Sequence, residues 1–102
     1  MPNVLTNYTS ADVGTSPTTV YTVPASTTGT IVGLQIANTT ASQIAIDVQV
    51  AGVFVAKGTP IPSGSGLSVL DGKLVAKTSQ TVVVTSDTAT SADVILSVLE
   101  QS

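Results

Sequence analysis

The side chains that could perform acid–base or metal chemistry here are carboxylates, because the sequence contains neither histidine nor cysteine. General acid–base and nucleophilic catalysis usually depend on groups whose pKa lies near neutrality, and His and Cys supply most of them. The remaining route is a pair of carboxylates about 5 to 10 Å apart in a cleft, as in glycosidases. The carboxylates are Asp12, Asp47, Asp71, Asp87, Asp93 and Glu100.

The sequence positions of these acids lead us to expect only one pair of them to lie close together. Asp87 and Asp93 flank one loop, whereas Asp71 precedes Gly72 in a pattern that turn geometry alone explains. The loop after Asp87 offers one carboxylate, too few for a calcium site within one chain, although a lone calcium contact between subunits remains an alternative. No glycine-rich phosphate loop precedes a helix. We therefore predict a protein that is not an enzyme and that binds no cofactor or resident metal.

Charge and composition exclude further classes of function. The cations are three lysines, Lys57, Lys73 and Lys77, which are too few to neutralise a run of phosphates, so we predict no nucleic-acid partner. No apolar segment approaches 18 residues, which predicts no membrane span. The N-terminus lacks a basic region followed by an apolar stretch, so we expect no secretory signal and assembly in a cytoplasm.

The elements that must position these residues are predicted to be β-strands. Hydrophobic residues make up 42% of the chain but aromatic residues only 3%, so Val, Ile and Leu must build the core. In residues 43–50, Ile44, Ile46 and Val48 fall on one face and the polar residues of the segment fall on the other, as in a half-buried strand. About eight such strands, and no helix, predict an all-β fold: a single antiparallel β-sandwich or a jelly roll. The predicted core residues are Leu34, Ile44, Ile46, Val48, Val83 and Val94.

Turn signals divide the predicted strands. Ala51-Gly52 indicates a hairpin between residues 43–50 and 53–56, and Asp71-Gly72 indicates a second hairpin between 67–70 and 73–76. Residues 58–66 contain two prolines and three glycines, which predicts a loop that crosses between the sheets.

The first part of the chain is more polar and less periodic than the rest. We interpret residues 1–17 as an N-terminal arm that ends in the linker-like Thr15-Ser16-Pro17, and residues 18–102 as the β-sandwich domain. Such an arm could add a strand to its own sheet or to that of a neighbour.

Five segments in the same order resemble small structural proteins in the virions of tailed bacteriophages, notably phages of cyanobacteria and marine bacteria. They are residues 21–25, 29–40, 59–64, 67–75 and 90–100. The similarity covers residues 18–102 and implies a β-sandwich located in the virus particle. The arm has no counterpart in these proteins.

The resemblance and the low charge lead to one functional prediction with an alternative. We predict a capsid decoration (cement) protein that binds the major capsid lattice and copies of itself. The predicted contact residues are Val4, Leu5 and Tyr8 in the arm and Pro60, Ile61 and Pro62 in the loop. The alternative is an accessory protein of the neck, tail or fibre, with host-surface glycan binding that would expose Tyr8 or Tyr21 beside a concave patch.

Overall fold

The computed structural model describes residues 3–68 and 74–101, and the described residues form nine β-strands and no helix. This confirms the predicted all-β class. The strands are β1 (Asn3–Val13), β2 (Thr18–Thr22), β3 (Thr28–Asn38), β4 (Ile44–Val50), β5 (Val53–Ile61), β6 (Gly66–Ser68), β7 (Leu74–Ala76), β8 (Thr81–Ser86) and β9 (Ala92–Gln101).

The strands form two antiparallel sheets packed as a sandwich. The first sheet has the order β1-β9-β3, and both β6 and β7 pair with the free side of β3; the second sheet has the order β2-β8-β4-β5. Among the described strands, successive strands lie in different sheets except for the β4–β5 hairpin and the β6–β7 pair. This interleaved order is that of a jelly roll.

The core lies between the sheets and follows the period-two pattern. Ile44, Ile46 and Val48 in β4 are each at most 1% exposed, and Leu34 and Val94 are buried opposite them in the first sheet. The inward register predicted for these five residues is therefore confirmed.

The prediction for β8 is wrong by one residue. Val82 and Val84 are completely buried, whereas Val83 is half-buried on the outer face of the second sheet. Three successive valines carry no polar residue to mark the outer face, so the pattern alone does not determine which of them point inward.

The hairpin between β4 and β5 is confirmed, but β5 is longer than predicted. Ala51 (φ 55°) and Gly52 (φ 78°) both adopt left-handed backbone conformations, as a two-residue hairpin turn of type I′ requires. Beyond the predicted strand, β5 continues to Ile61, so the prediction of a loop is wrong for residues 58–61. Pro60 is tolerated because β5 is an edge strand, where a missing N–H donor leaves no ladder bond unmade.

The predicted hairpin between residues 67–70 and 73–76 is also wrong. Ser68 pairs with Gln35 and Leu74 pairs with Ile31, and both partners belong to β3. Since β6 and β7 are each antiparallel to β3, they run in the same direction along one sheet edge. The Asp71-Gly72 turn lies outside the described residues.

Residues 3–13 of the predicted arm form β1 at the edge of the first sheet. β1 pairs with β9 in continuous register from Asn3 opposite Gln101 to Ser10 opposite Val94. The chain then turns into β2 in the second sheet, and the carbonyl of Gly14 accepts a hydrogen bond from the N–H of Ser86. The segment therefore adds a strand to its own sheet, which is one of the two possibilities predicted for it.

Candidate interaction surface

The three predicted contact residues of the arm lie on β1 but face different directions. Leu5 is 72% exposed on the outer face of the first sheet, where it pairs with Leu99. Val4 is 49% exposed near the end of the strand. Tyr8 points inward and packs against the edge of the core, half-buried.

The other predicted contact residues lie at the end of β5. Pro60 and Pro62 are exposed, but Ile61 is completely buried in the core. Its side chain is therefore not available to a partner in this fold. Pattern alone could not show this, because the strand was expected to end before residue 58.

The structure does not bring these two groups together. β1 and β5 are edge strands of different sheets, and β1 lies next to β2, at the side of the second sheet opposite to β5. The roles of Val4, Leu5, Tyr8, Pro60 and Pro62 in binding stay predictions, and they concern two separate surfaces.

Asp87 and Asp93 each accept a hydrogen bond from a backbone N–H and so hold the backbone near them in place. Asp87 accepts hydrogen bonds from the Ala45 N–H (3.1 Å) and the Thr88 hydroxyl (2.9 Å), and these bonds lower the pKa of Asp87. Asp93 Oδ1 accepts a hydrogen bond from the Asp12 N–H at 3.0 Å. Within residues 3–68 and 74–101, no three acidic side chains are grouped as metal ligands.

A cluster of two tyrosines and one glutamate joins the sheets near one end of the sandwich. Glu100 Oε2 accepts hydrogen bonds from the hydroxyls of Tyr8 (2.8 Å) and Tyr21 (2.7 Å), and the ring centroids are 4.5 Å apart. A Cβ at Gly29 would lie 3.0 Å from the Tyr21 hydroxyl, so this position suits glycine. Sequence reasoning missed the cluster, because its members are separated by up to 92 residues and are joined only by strand pairing.

The same cluster bears on the alternative of glycan binding. Tyr21 is only 3% exposed, so its ring offers no platform for stacking against a sugar. Tyr8 is half-buried and its hydroxyl already donates to Glu100. Tyr21 is therefore not the exposed tyrosine that glycan binding would require, and Tyr8 is exposed only in part.

The cluster predicts an alkaline titration that can be read directly, since these are the only two tyrosines and tryptophan is absent. The hydrogen bond to Glu100 and burial raise the pKa of Tyr8; burial and the same carboxylate raise the pKa of Tyr21 further. In absorbance at 295 nm, we expect both phenols of the folded protein to ionise above the ordinary value of 10.0. Glu100→Gln should move both pKa values down.

The pKa values of Tyr8 and Tyr21 are higher in the folded state than in the unfolded state, so the protonated tyrosines stabilise the fold. This stabilisation is present below pH 10 and is lost as the pH rises through the folded-state pKa values. Asp93→Asn is the matched control, because Asp93 lies at the other end of β9 and accepts no bond from a tyrosine. Tyrosines that ionise at the same pH in folded and urea-unfolded protein would contradict the hydrogen-bonded cluster.

The outer face of the first sheet carries an apolar surface that crosses four strands. Four residues on this face are paired in succession from β1 through β9 and β3 to β7, and we call them the apolar row: Leu5, Leu99, Thr30 and Val75. Leu5 and Val75 at its two ends are 72% and 58% exposed. Apolar groups are therefore exposed across the whole width of this face, from β1 to β7.

The remainder of this face adds little charge. Val32 and Ile95 extend the apolar surface and are each about 40% exposed. Beside Ile95 lies an open concavity of about 440 Å³, and its described lining includes Gln35, Thr9 and one carboxylate, Asp93. The carboxylate of Asp93 therefore lies at one end of the described part of this face.

The outer face of the second sheet differs in character. Lys57 Nζ lies 3.7 Å from Asp47 Oδ2 and 4.5 Å from the centroid of the Phe54 ring. The lysine thus covers the exposed aromatic ring and keeps a charge in water above it. This arrangement is typical of a solvated face, whereas the first sheet has no such cover among its described residues.

Comparisons with known proteins do not identify a family for this chain. No protein-family model matches the sequence, and no curated protein is significantly similar to it. In the part of the chain that the structure describes, no helix is long and apolar enough to cross a membrane.

Proposed function

We propose that this chain is a non-enzymatic structural protein of a bacteriophage virion that decorates the capsid by binding the major capsid protein. The resemblance of residues 18–102 to small virion proteins supports this proposal. The strand order agrees with it, since jelly rolls occur in many viral capsid proteins, although the same fold also serves lectins and enzymes. Assembly in the host cytoplasm, with the virion as final location, belongs to the same proposal.

The observation that carries the proposal is the outer face of the first sheet. A face that combines Leu5, Val75 and Ile95 with Thr, Ser, Asn and Gln side chains can be covered by a partner at low cost, because hydroxyls and amides are cheaper to desolvate than Lys or Glu. Exposed apolar patches of this kind commonly mark contact surfaces. Many copies on one lattice would then add up weak individual contacts.

The location in the particle is tested by immunogold labelling of purified virions with an antibody against this protein. Label distributed over the head is expected from a decoration protein. Label confined to the neck, tail or fibre would reject the capsid assignment in favour of an accessory role. Blotting of denatured particles serves as a control for epitopes that are covered in the assembled virion.

The contact face is tested by Val75→Glu with Val53→Glu as the matched control. Both valines are exposed, by 58% and 64%, but Val75 belongs to the apolar row and Val53 lies beside the β4–β5 turn. We expect Val75→Glu to weaken binding to heads assembled without this protein at least about tenfold, because a carboxylate would be buried at the interface. Val53→Glu should bind like the wild type.

Binding is measured by co-sedimentation of labelled protein with the heads over a range of concentrations. Equal affinity of Val75→Glu and the wild type would show that this face is not the contact. A loss in both variants would point instead to general repulsion of negative charge by the capsid surface.

A further inference from the structure

The two sheets have four edges, and three of them carry features that discourage pairing with another chain. β5 contains Pro60, Lys57 and two irregularities in its register with β4. β2 is five residues long and has an irregularity in its register with β8 between Thr19 and Tyr21. The remaining edge of the first sheet is shared by β6 and β7, of which the structure describes three residues each, and the sequence between them contains the charged residues Asp71 and Lys73. Prolines, lysines, bulges and short strands are the usual protection of sheet edges.

β1 is the edge with the least such protection, because its bulge and its charge lie at one end. It is 11 residues long, and its register with β9 is regular from Asn3 to Ser10. Residues 3–11 contain no charged residue and no proline, and the first charge on the strand is Asp12 at the bulge. Among the described residues, the backbone of 3–11 hydrogen-bonds only along β9, so the other side of β1 presents free N–H and C=O groups.

We propose that β1 pairs antiparallel with β1 of a second copy of this chain, so that two first sheets join across a two-fold axis. An antiparallel pair of identical strands is self-complementary, because each residue meets its equivalent from the opposite direction. An axis at Asn7 would place Leu5 beside Thr9 of the second copy on the outer face. No like charges meet within residues 3–11, which removes the usual obstacle to such symmetry.

The joined sheet would also extend the outer face described above. Leu5 ends the apolar row at the β1 edge, so the rows of the two copies would lie on one continuous face, with Leu5 of each copy beside Thr9 of the other. One pair of edge strands buries less surface than a standard interface, so we expect dissociation constants on the order of 10 µM in solution. The pairing is independent of the capsid proposal, since it requires no other protein.

Sedimentation equilibrium of the purified protein between 1 µM and 1 mM tests the pairing. We expect a monomer–dimer equilibrium that Asn7→Lys weakens at least about tenfold, because the two lysines would meet at the axis. Thr19→Lys is the matched control: it places the same charge at an exposed position on the β2 edge and should leave dimerisation unchanged. Thermal unfolding of each variant verifies that it is folded.

A second measurement locates the contact without adding charge. The chain has no cysteine, so Asn7→Cys and Thr19→Cys each accept a single nitroxide label. Residues that pair across the axis lie about 5 Å apart at their Cα atoms. The label at position 7 should therefore show strong dipolar broadening, which should disappear when labelled protein is diluted with unlabelled protein. The label at position 19 should show no such broadening. A monomer at every concentration, equal weakening by both lysines, or broadening at label 19 alone would overturn the proposal.

Discussion

Replacement of Leu96 by alanine is expected to lower the free energy of unfolding by about 3 kcal/mol. Leu96 is completely buried in β9, the strand that lies between β1 and β3 in the first sheet. It is paired with Tyr8 on one side and Leu34 on the other. Because hydrogen bonds hold β9 on both sides, the neighbouring strands cannot close the cavity that the substitution leaves.

Ile95→Ala is the matched control, one residue away on the same strand. Ile95 is 43% exposed on the outer face, so its truncation should cost less than about 1 kcal/mol. Urea denaturation followed by far-ultraviolet circular dichroism measures both values. A larger loss for Ile95→Ala would show that the two faces of β9 are assigned the wrong way round, and equal losses would contradict the burial of Leu96 alone.

These two residues illustrate how far sequence pattern predicts this fold. In β4 the large apolar residues all fall on one face, and this pattern predicts both the strand and its buried face. In β9, apolar residues occupy both faces, and only the structure shows that Ile95 is outside because it faces away from the second sheet. The Val83 error has the same origin, since alternation is informative only where one face is polar.

Connections were harder to predict than strands. Ala51-Gly52 was recognised because its turn type demands left-handed residues in sequence. By contrast, the segment around Pro60 resembles a loop by composition, and its assignment to β5 depends on pairing of Ala45 with Pro60 along an edge. Composition cannot reveal which edges a sheet has, and therefore could not show that Ile61 is buried.

The candidate surface could be predicted only in part. The location of Leu5 in the N-terminal arm predicts it as a contact residue, and it is the most exposed of the large apolar residues on the described part of the chain. Its partners in the apolar row, Leu99, Thr30 and Val75, come from three other strands. Only the register of the pairing shows that these side chains share one face, so a single sequence gives no direct signal for the surface.

Asn38→Asp is expected to cost about 3 kcal/mol at pH 7, although the two side chains have nearly the same shape. Asn38 is 3% exposed, and its amide nitrogen donates to the carbonyls of Ser42 (2.8 Å) and Ile61 (2.9 Å). Its amide oxygen accepts from the N–H and hydroxyl of Thr40. A carboxylate would place a second oxygen against the two carbonyls, so two hydrogen bonds would be replaced by repulsion.

The cost should depend on pH in a defined direction. Burial and the facing carbonyl oxygens disfavour the charged form of the introduced carboxyl, which raises its pKa in the folded state above the unfolded value. The protonated acid can donate one hydrogen bond, so the variant recovers stability below the unfolded pKa and loses it as the pH rises through the folded one. The deficit relative to the wild type should therefore be smaller at pH 4 than at pH 7.

Asn38→Ala separates this effect from simple loss of the side chain, because alanine cannot titrate and its deficit should be the same at both pH values. Urea denaturation of the three proteins at pH 4 and pH 7 gives the comparison. The same bonds hold the end of β5 against the end of β3, so the aspartate should also loosen the backbone around Ile61. Faster amide hydrogen exchange in residues 59–61 at pH 7 than at pH 4, after correction for the intrinsic rates, would show this. A pH-independent deficit would mean that the introduced carboxyl rotates away from the carbonyls of Ser42 and Ile61 and reaches solvent.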